Sequence, residues 1–442
     1  MNKARRDGLY LLLLGAAIFV LFGLALERSS SFAMMDFKVV YFSARCLAEH
    51  CDPYSVSDLT RSFRANGGLQ PGDSAKVESN VATYVYPPNA FAVTALFGML
   101  PYPVAAALWL LLTLGGLILA SYLMWTVAAD SAPVLAGALV FLVLANSELL
   151  VIVGNAAGIV VTLCVVAAWC FVRQRFAIAG ILCLALALVL KPQDAGFVWL
   201  YFLLAGGYRK RALQTLGVAA ILSIPAVLWV AQVAPHWSDE LRANLAAVSA
   251  RGGNNDPGPS SSGAHGLGMV ADLQAGLSLI RDDPRFYNPI SYLVCGALLL
   301  AGAVKTLRTR PAPADAWLAL AVIAPLTMLP VYHRQYDAKL LLLAIPACAM
   351  LWAARRPGSR LATVLTAAAL LASGDIPSAL LITLINNAHL PATGFIAQLL
   401  TAVQVLPTPL TLLAMSVAFL WMYARQDSED SSVKTPQPAA GA

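Results

Sequence analysis

Apolar runs about as long as a bilayer is thick recur from one end of this 442-residue chain to the other. A helix needs about 20 apolar residues to cross the hydrocarbon core, and residues 9–26 meet that length without a charge before Glu27. Hydrophobic residues make up 59% of the chain and charged ones only 12%. Such a chain is built to lie in lipid, so the few polar residues inside it carry the information about function. Mean hydropathy is +0.71, and the reading of about two or three soluble domains that the length would otherwise suggest does not apply. The net charge of +6 does not indicate nucleic acid. The basic residues sit in short clusters beside apolar runs, which is a signal of topology.

Those clusters fix an orientation. Lys3, Arg5 and Arg6 precede the first run, and no small-residue cleavage site follows it, so it reads as an uncleaved signal anchor. Arg173 and Arg175, Arg209 to Arg211, Lys305 to Arg310, Arg355 to Arg360 and Arg425 each border a run, and all belong on the cytoplasmic side. One assignment satisfies them all. It places spans near 9–26, 104–128, 134–145, 156–172, 178–190, 195–205, 213–233, 290–303, 316–331, 340–353, 361–384 and 395–423. The expectation is an all-α polytopic membrane protein of about 12 helices, with both termini inside the cell, in the plasma (inner) membrane. Residues 1–426 form one domain, with outer loops at 27–102 and 234–289 and interfacial helices in the first. Residues 89–100 are too short to span and read as interfacial or re-entrant. The polar tail 427–442 reads as disordered. No internal repeat is visible.

The same assignment collects the unusual polar residues on the outer face, although none of them was used to obtain it. Asp36 follows the first span by a few residues, where a carboxylate is a candidate base facing a lipid-borne substrate. Phe37, Val40, Tyr41, Ala44 and Leu47 recur at helical spacing, which predicts an amphipathic helix along the membrane surface. Asp36 would stand at its N-cap or in its first turn, and capping alone is the plain alternative. Lys191 interrupts an apolar run. It is either a lysine snorkelling from a helix end or a ligand for a phosphate. His333, Arg334, Asp337 and Lys339 crowd one turn between spans. Cys46 and Cys51 could pair in an oxidising compartment, whereas Cys164, Cys170, Cys183, Cys295 and Cys348 lie in spans as small core residues. The stretch containing His265 reads either as a lid over the acceptor or as plain disorder. No pair of histidines has metal-ligand spacing, and no metal or cofactor is expected. Trp109, Trp125, Trp199, Trp237 and Trp421 read as interfacial belt residues.

Six motifs stand in order on this frame. Asp-Phe-x-x-x-Tyr-x-x-Ala-Arg at 36–45 follows the first span, then come Asp52, Pro53 and Tyr54, then Tyr84-x-Tyr86 with Pro87 and Pro88. Later come Gly154 and Asn155, Lys191 to Gln193, and Tyr332 to Asp337. In this order the chain resembles the polyprenyl-phosphate-mannose-dependent α-mannosyltransferases of glycosyltransferase family 87, within the GT-C superfamily. The family often has Gly-Gln before its Asn, and Gly154-Asn155-Ala156 departs from that. The resemblance implies a GT-C-like bundle and transfer of a hexose, mannose in this family, from a polyprenyl-phosphate donor to a glycan or glycolipid acceptor outside the cytoplasm. It implies Asp36 as general base, with inversion, and His333 as an assistant that helps Asp36 or contacts the sugar. Lys191 and Arg334 would hold the donor phosphate, and Tyr41, Tyr54, Tyr84, Tyr86 and Gln193 would contact substrate. A phosphate leaving group needs positive charge rather than a second carboxylic acid, which suits a single base beside several cations. The alternatives are a transporter or flippase, against which the missing repeat counts, and a GT-C enzyme for another sugar such as arabinose or glucose.

Overall fold

The computed structural model describes residues 2–68, 75–259, 269–309, 312–387 and 394–433. Among these the chain is helical, and its one β-type contact is an isolated antiparallel bridge between Val270 and Arg334. α1 (Lys3–Ser29) crosses first, and a short polar assembly of α2 (Met35–Ala48), α3 (Val56–Ala65) and α4 (Ala75–Val81) follows. A 3-10 turn at Pro88–Ala90 and α5 (Phe91–Gly98) lead into the long α6 (Tyr102–Ala128). α7 (Pro133–Leu144) and the short α8 (Glu148–Val153) make one interrupted crossing. α9 (Ala157–Val172), α10 (Ala177–Leu190), α11 (Pro192–Leu204) and α12 (Arg209–Val233) then run as antiparallel neighbours. The second polar assembly holds α13 (Trp237–Ser249) and α14 (Leu273–Ser278). It is followed by α15 (Pro284–Arg308) and α16 (Pro313–Thr327). A 3-10 helix, Gln335–Ala344, continues as α17 (Ile345–Ala353). α18 (Ser359–Ala372), α19 (Asp375–Asn387), α20 (Phe395–Val405) and α21 (Pro407–Val433) close the bundle.

Among the described residues seven helices are long and apolar enough to cross a membrane, or eight if the bent pair α18 and α19 counts as one span. The expected count of 12 is therefore not what length supports. The remainder are short apolar helices, α9, α10, α16 and α20 among them. At 16 residues, α9 covers about 24 Å, less than the roughly 30 Å of hydrocarbon. α9, α10 and α16 survive because protein rather than lipid surrounds much of them, and every residue of α16 from Asp315 on is buried. α5, with eight residues, cannot span, as expected for 89–100. α21 continues past residue 426 to Val433, and the rest of the expected tail lies outside the described residues, as does His265.

The basic clusters gather at one end. Arg5 and Arg173 both lie 3.6 Å from Asp130, and Arg211 donates to the carbonyl of Phe171 at 3.1 Å. Leu204, Thr306 and Tyr423 line one small apolar cavity, which brings the ends of α11, α15 and α21 to that side too. Asp36, Asn155, Lys191, His333 and Arg334 sit at the other end. α2 forms where periodicity placed it, but it is not a helix lying on a surface. Phe42, Ser43 and Cys46 are buried along with the expected stripe, because α3, α4, α5 and α6 pack around it. Cys46 and Cys51 are bonded, with Cα atoms 5.0 Å apart. The other five described cysteines are free, four of them buried. Trp109 and Trp125 are core residues rather than belt residues.

α1 packs on α7 through glycines, as helices in lipid do when their backbones approach closely. A Cβ on Gly137 would fall 2.4 Å from the carbonyl oxygen of Gly8. Gly137→Ala should force these helices apart and destabilise the protein by about 1–3 kcal/mol. Thermal unfolding in detergent reads this directly, and a variant as stable as the parent would contradict the packing.

Candidate active site

Asp36 is held by a junction of three chain segments. Met34 adopts a left-handed conformation, φ 54°, at the N-cap of α2, and its N–H donates to the carbonyl of Ile152 at 2.7 Å. The C-cap of α8, Gly154, has φ +65°. A Cβ there would lie 2.9 Å from Cβ of Phe37, so only glycine lets α8 abut the first turn of α2. Trp109 Nε1 donates to the Gly154 carbonyl at 2.8 Å and fixes the turn. Asn155 then uses its whole amide. Its Nδ2 donates to Asp36 Oδ2 at 2.7 Å and to the Tyr336 hydroxyl at 3.0 Å, and its Oδ1 accepts the N–H of Ala157 at 2.8 Å. Asp36 is thus not an N-cap. It sits second in the helix, half-buried, with Oδ2 anchored and Oδ1 accepting no hydrogen bond from the described residues. Burial raises its pKa above the ordinary carboxylate value. The Asn155 hydrogen bond and the charges of Arg334 and Lys191 partly offset that rise.

Beside it lies a buried quartet of charges. Lys191 stands at the break between α10 and α11, with Nζ 3.0 Å from Asp194 Oδ2 and hydrogen-bonded to Asp337 Oδ1. It also lies 5.8 Å from the centroid of the Tyr336 ring. His333 is 1% exposed. Its Nδ1 is 2.8 Å from the carbonyl of Val331, and its Nε2 is 3.1 Å from Asp194 Oδ1. A carbonyl only accepts, so Nδ1 must donate, and a carboxylate against Nε2 calls for a second proton. Burial would push the His333 pKa down, but Asp194, and then Asp337, outweigh it and raise it. With His333 protonated the quartet carries two positive and two negative charges and is neutral, which is how charge survives in an apolar interior.

Arg334 follows on the backbone. Ala271 N donates to the carbonyl of His333 at 2.8 Å, Gln335 N to that of Met269 at 3.1 Å, and Asp337 Oδ2 accepts the Arg334 N–H at 2.8 Å. Its guanidinium is half-buried, hydrogen-bonded through Nε to the Tyr332 hydroxyl and through Nη2 to the carbonyl of Asn254 at 2.6 Å. It is near enough for its charge to act on Asp36.

The sequence-derived candidates separate into two groups. Asp36, Lys191, His333 and Arg334 come together, and half-buried Tyr86 joins them, its hydroxyl within the fields of Asp36 and Lys191. Tyr41 donates to the carbonyl of Leu100 at 2.8 Å within an aromatic cluster. Tyr54 donates to the carbonyl of Tyr86 at 3.0 Å, and Tyr84 is fully buried against Tyr54 and Phe91. These three rings are built into the wall rather than open to a ligand. Gln193 is exposed in the first turn of α11 and makes no described hydrogen bond. Tyr336 and Asp194 were not singled out beforehand, and Asp337 was noted only as one of the charged residues crowding the turn after Tyr332. Asn155 was in view as a motif position, but spacing gave no sign that it reaches across 119 residues to Asp36. Among the described residues no three His, Cys, Asp or Glu side chains could hold a metal. An apolar cleft of about 530 Å³ opens between α10, α11 and α12, with Val189, Pro192 and Ser223 at the site end and Trp199 and Leu216 deeper.

The geometry defines a multi-pass helical membrane protein with one half-buried carboxylate and a neighbouring guanidinium at the end opposite its basic clusters. Residues 84–329, more than half of the chain, match the family model described as Glycosyltransferase family 87, and the chain belongs to that family. The match takes in Tyr86, Asn155, Lys191 and Asp194 and stops short of Asp36, His333 and Arg334. Membership makes the protein a glycosyltransferase and sets the transporter alternative aside. No curated protein matches the chain. Among solved structures it is similar to the crystal structure of ArnT from Cupriavidus metallidurans bound to undecaprenyl phosphate. The TM-score is 0.36 and the identity 13%, over 96% of this chain and 82% of that one. That likeness is too distant to bear on the site.

Lys191→Met should be costly, because it leaves Asp194 and Asp337 buried against His333 alone. A loss of about 3–5 kcal/mol is expected. Adding Asp337→Asn should recover much of it by restoring neutrality. Thermal unfolding of the two variants measures both, and a double variant no more stable than Lys191→Met would contradict the neutral quartet.

Proposed function

We propose that the protein transfers a hexose from a polyprenyl-phosphate donor to a hydroxyl of a glycan or glycolipid on the extracytoplasmic face, inverting the anomeric centre. Mannose is the sugar that the family resemblance favours. The observation that carries this reading is the state of Asp36: one oxygen gripped by Asn155, the other open, and Arg334 within range of its charge. The acceptor oxygen attacks the anomeric carbon from the side opposite the phosphate. The bond from that carbon to the phosphate oxygen breaks, and its electron pair leaves with the phosphate. The acceptor proton goes to Asp36 Oδ1. Burial raises the affinity of Asp36 for that proton, which improves it as a base.

Arg334 is the group that would take up the negative charge of the departing phosphate. Its hydrogen bonds to the Asn254 carbonyl and the Tyr332 hydroxyl aim it. Lys191 is already shared between two carboxylates, so its contribution to phosphate binding is indirect. It fixes Asp337, which caps the backbone at Arg334. His333, with both ring nitrogens engaged, is a positioning residue in this reading. The apolar cleft beside Pro192 suits the chain of a lipid-borne donor. Two observations favour the extracytoplasmic side: the gathering of basic clusters at the opposite end and the Cys46–Cys51 disulfide, which belongs to an oxidising compartment.

Asp36→Asn keeps the size of the side chain but cannot accept the proton. Transfer of labelled mannose from polyprenyl-phosphate mannose to a cell-envelope lipid extract should fall ~10²–10⁴-fold, with donor binding retained. The base works deprotonated, so wild-type transfer should be lost as pH falls through a pKa above the ordinary 3.8. Near-normal transfer by a folded Asp36→Asn protein would sink the assignment. Arg334→Met should weaken donor binding roughly 10- to 100-fold, the loss of a charge-assisted hydrogen bond. Unchanged donor affinity would move Arg334 to a structural role.

A further inference from the structure

A second buried charge cluster lies deeper in the bundle and takes no part in the chemistry above. Lys339 is on the same 3-10 helix as Tyr336 and is 2% exposed. Its Nζ donates to the carbonyl of Asn146, and it lies 3.4 Å from the carbonyl of Ser373 and 3.8 Å from Asp375 Oδ1. Asp375, first in α19 and 7% exposed, accepts the N–H of Leu149 through Oδ2 at 2.7 Å. Glu148, 2% exposed, lies beside them within the field of both charges, and neither of its carboxyl oxygens has a hydrogen-bond partner.

The two charged groups grip one feature, the break between α7 and α8. A break in an apolar crossing leaves backbone groups that find no water at depth and must be satisfied by protein. Lys339 takes a carbonyl on one side of the break and Asp375 an amide on the other. α8 is only six residues long and runs straight into Gly154 and Asn155. Clamping its start therefore sets where its end points. The partner segment is joined to it a second time, since Asn155 donates to Tyr336, three residues before Lys339. Two ties, about 6 Å apart along the 3-10 helix, hold the same pair of segments in register.

We infer that Lys339 and Asp375 form a strut that positions Asn155, and through Asn155 the carboxylate of Asp36. They are positioning residues and touch no substrate. The inference rests on reading Asp36 as the base for its consequence in catalysis, but its geometric core is the Asn155–Asp36 hydrogen bond, which can be followed without any turnover.

The probe is the titration of Asp36 itself. Infrared carboxylate spectra of the full-length protein, minus those of the same protein carrying Asp36→Asn, isolate its midpoint. The Asn155 hydrogen bond holds that midpoint down, so Asn155→Ala should move it up. Lys339→Met/Asp375→Asn, which removes both charges together, should move it up to a similar degree. Adding Asn155→Ala to that variant should then change little, the mark of residues acting through one another. Transfer should fall about tenfold or more in each, the scale of a lost hydrogen bond to a charge. If the double variant does not accumulate, Asp375→Asn alone keeps an acceptor for the Leu149 amide and is read in the same way. A folded strut variant with a lowered melting temperature but an unmoved Asp36 midpoint would overturn the inference, as would full additivity with Asn155→Ala. Near-normal transfer by Asp36→Asn would instead remove the base reading, and the infrared midpoint would still decide the strut.

Discussion

The side-chain amide of Asn155 donates at once to Asp36 and to Tyr336, and its oxygen caps α9. Three segments far apart in sequence meet on that one group: the start of α2, the turn after α8 and the 3-10 helix of Gln335–Ala344. An amide suits this place because it offers donors and an acceptor without charge. A lysine or arginine there would neutralise Asp36 and hold it ionised too firmly to act as a base. An apolar residue would leave the half-buried carboxylate without its anchor. The approach itself depends on Gly154, since any Cβ would strike Phe37.

Around this point the bundle handles charge in balanced groups. Lys191, His333, Asp194 and Asp337 compensate one another in the interior, where an unmatched charge costs several kcal/mol. Asp36 and Arg334 are less buried, and each has polar neighbours that orient it. The division has a chemical logic. The quartet is closed on itself and supplies rigidity, while the pair beside it carries the proton and phosphate roles in the function proposed above. That is why four residues that looked equally chemical in sequence separate into two roles once placed in space.

Much of the frame could be read from the chain, because lipid enforces simple rules. Apolar runs had to become helices, basic clusters had to share an end, and Asp36, Lys191 and Arg334 fell on the opposite side from those rules alone. Periodicity located α2 to within a residue or two. What one-dimensional pattern missed was depth and partnership. It could not tell that α2 is enclosed rather than lying on a surface, or that Trp109 points inward to the Gly154 carbonyl. It could not tell that Tyr41, Tyr54 and Tyr84 serve as packing, because an aromatic in a wall and one facing a ligand look alike in sequence. Nothing in the sequence showed that Asp194 and Asp337, 143 residues apart, share Lys191.

The difference between the 12 expected spans and the seven or eight that length supports has the same origin, and it says something about the site. α9, α10, α11 and α16 are all shorter than a full crossing. Their ends away from the basic clusters stop at Asn155, at Lys191 and just before His333. The missing turns are at the site, so the polar cluster occupies part of the depth that apolar helix would otherwise fill. A recess is the expected consequence. Asp36 and Arg334 are half-buried there. Within that recess the field of each charge is stronger than it would be in open water, and the raised pKa of Asp36 is one sign of it. The short helices, which first read as marginal spans, are therefore part of the active-site architecture.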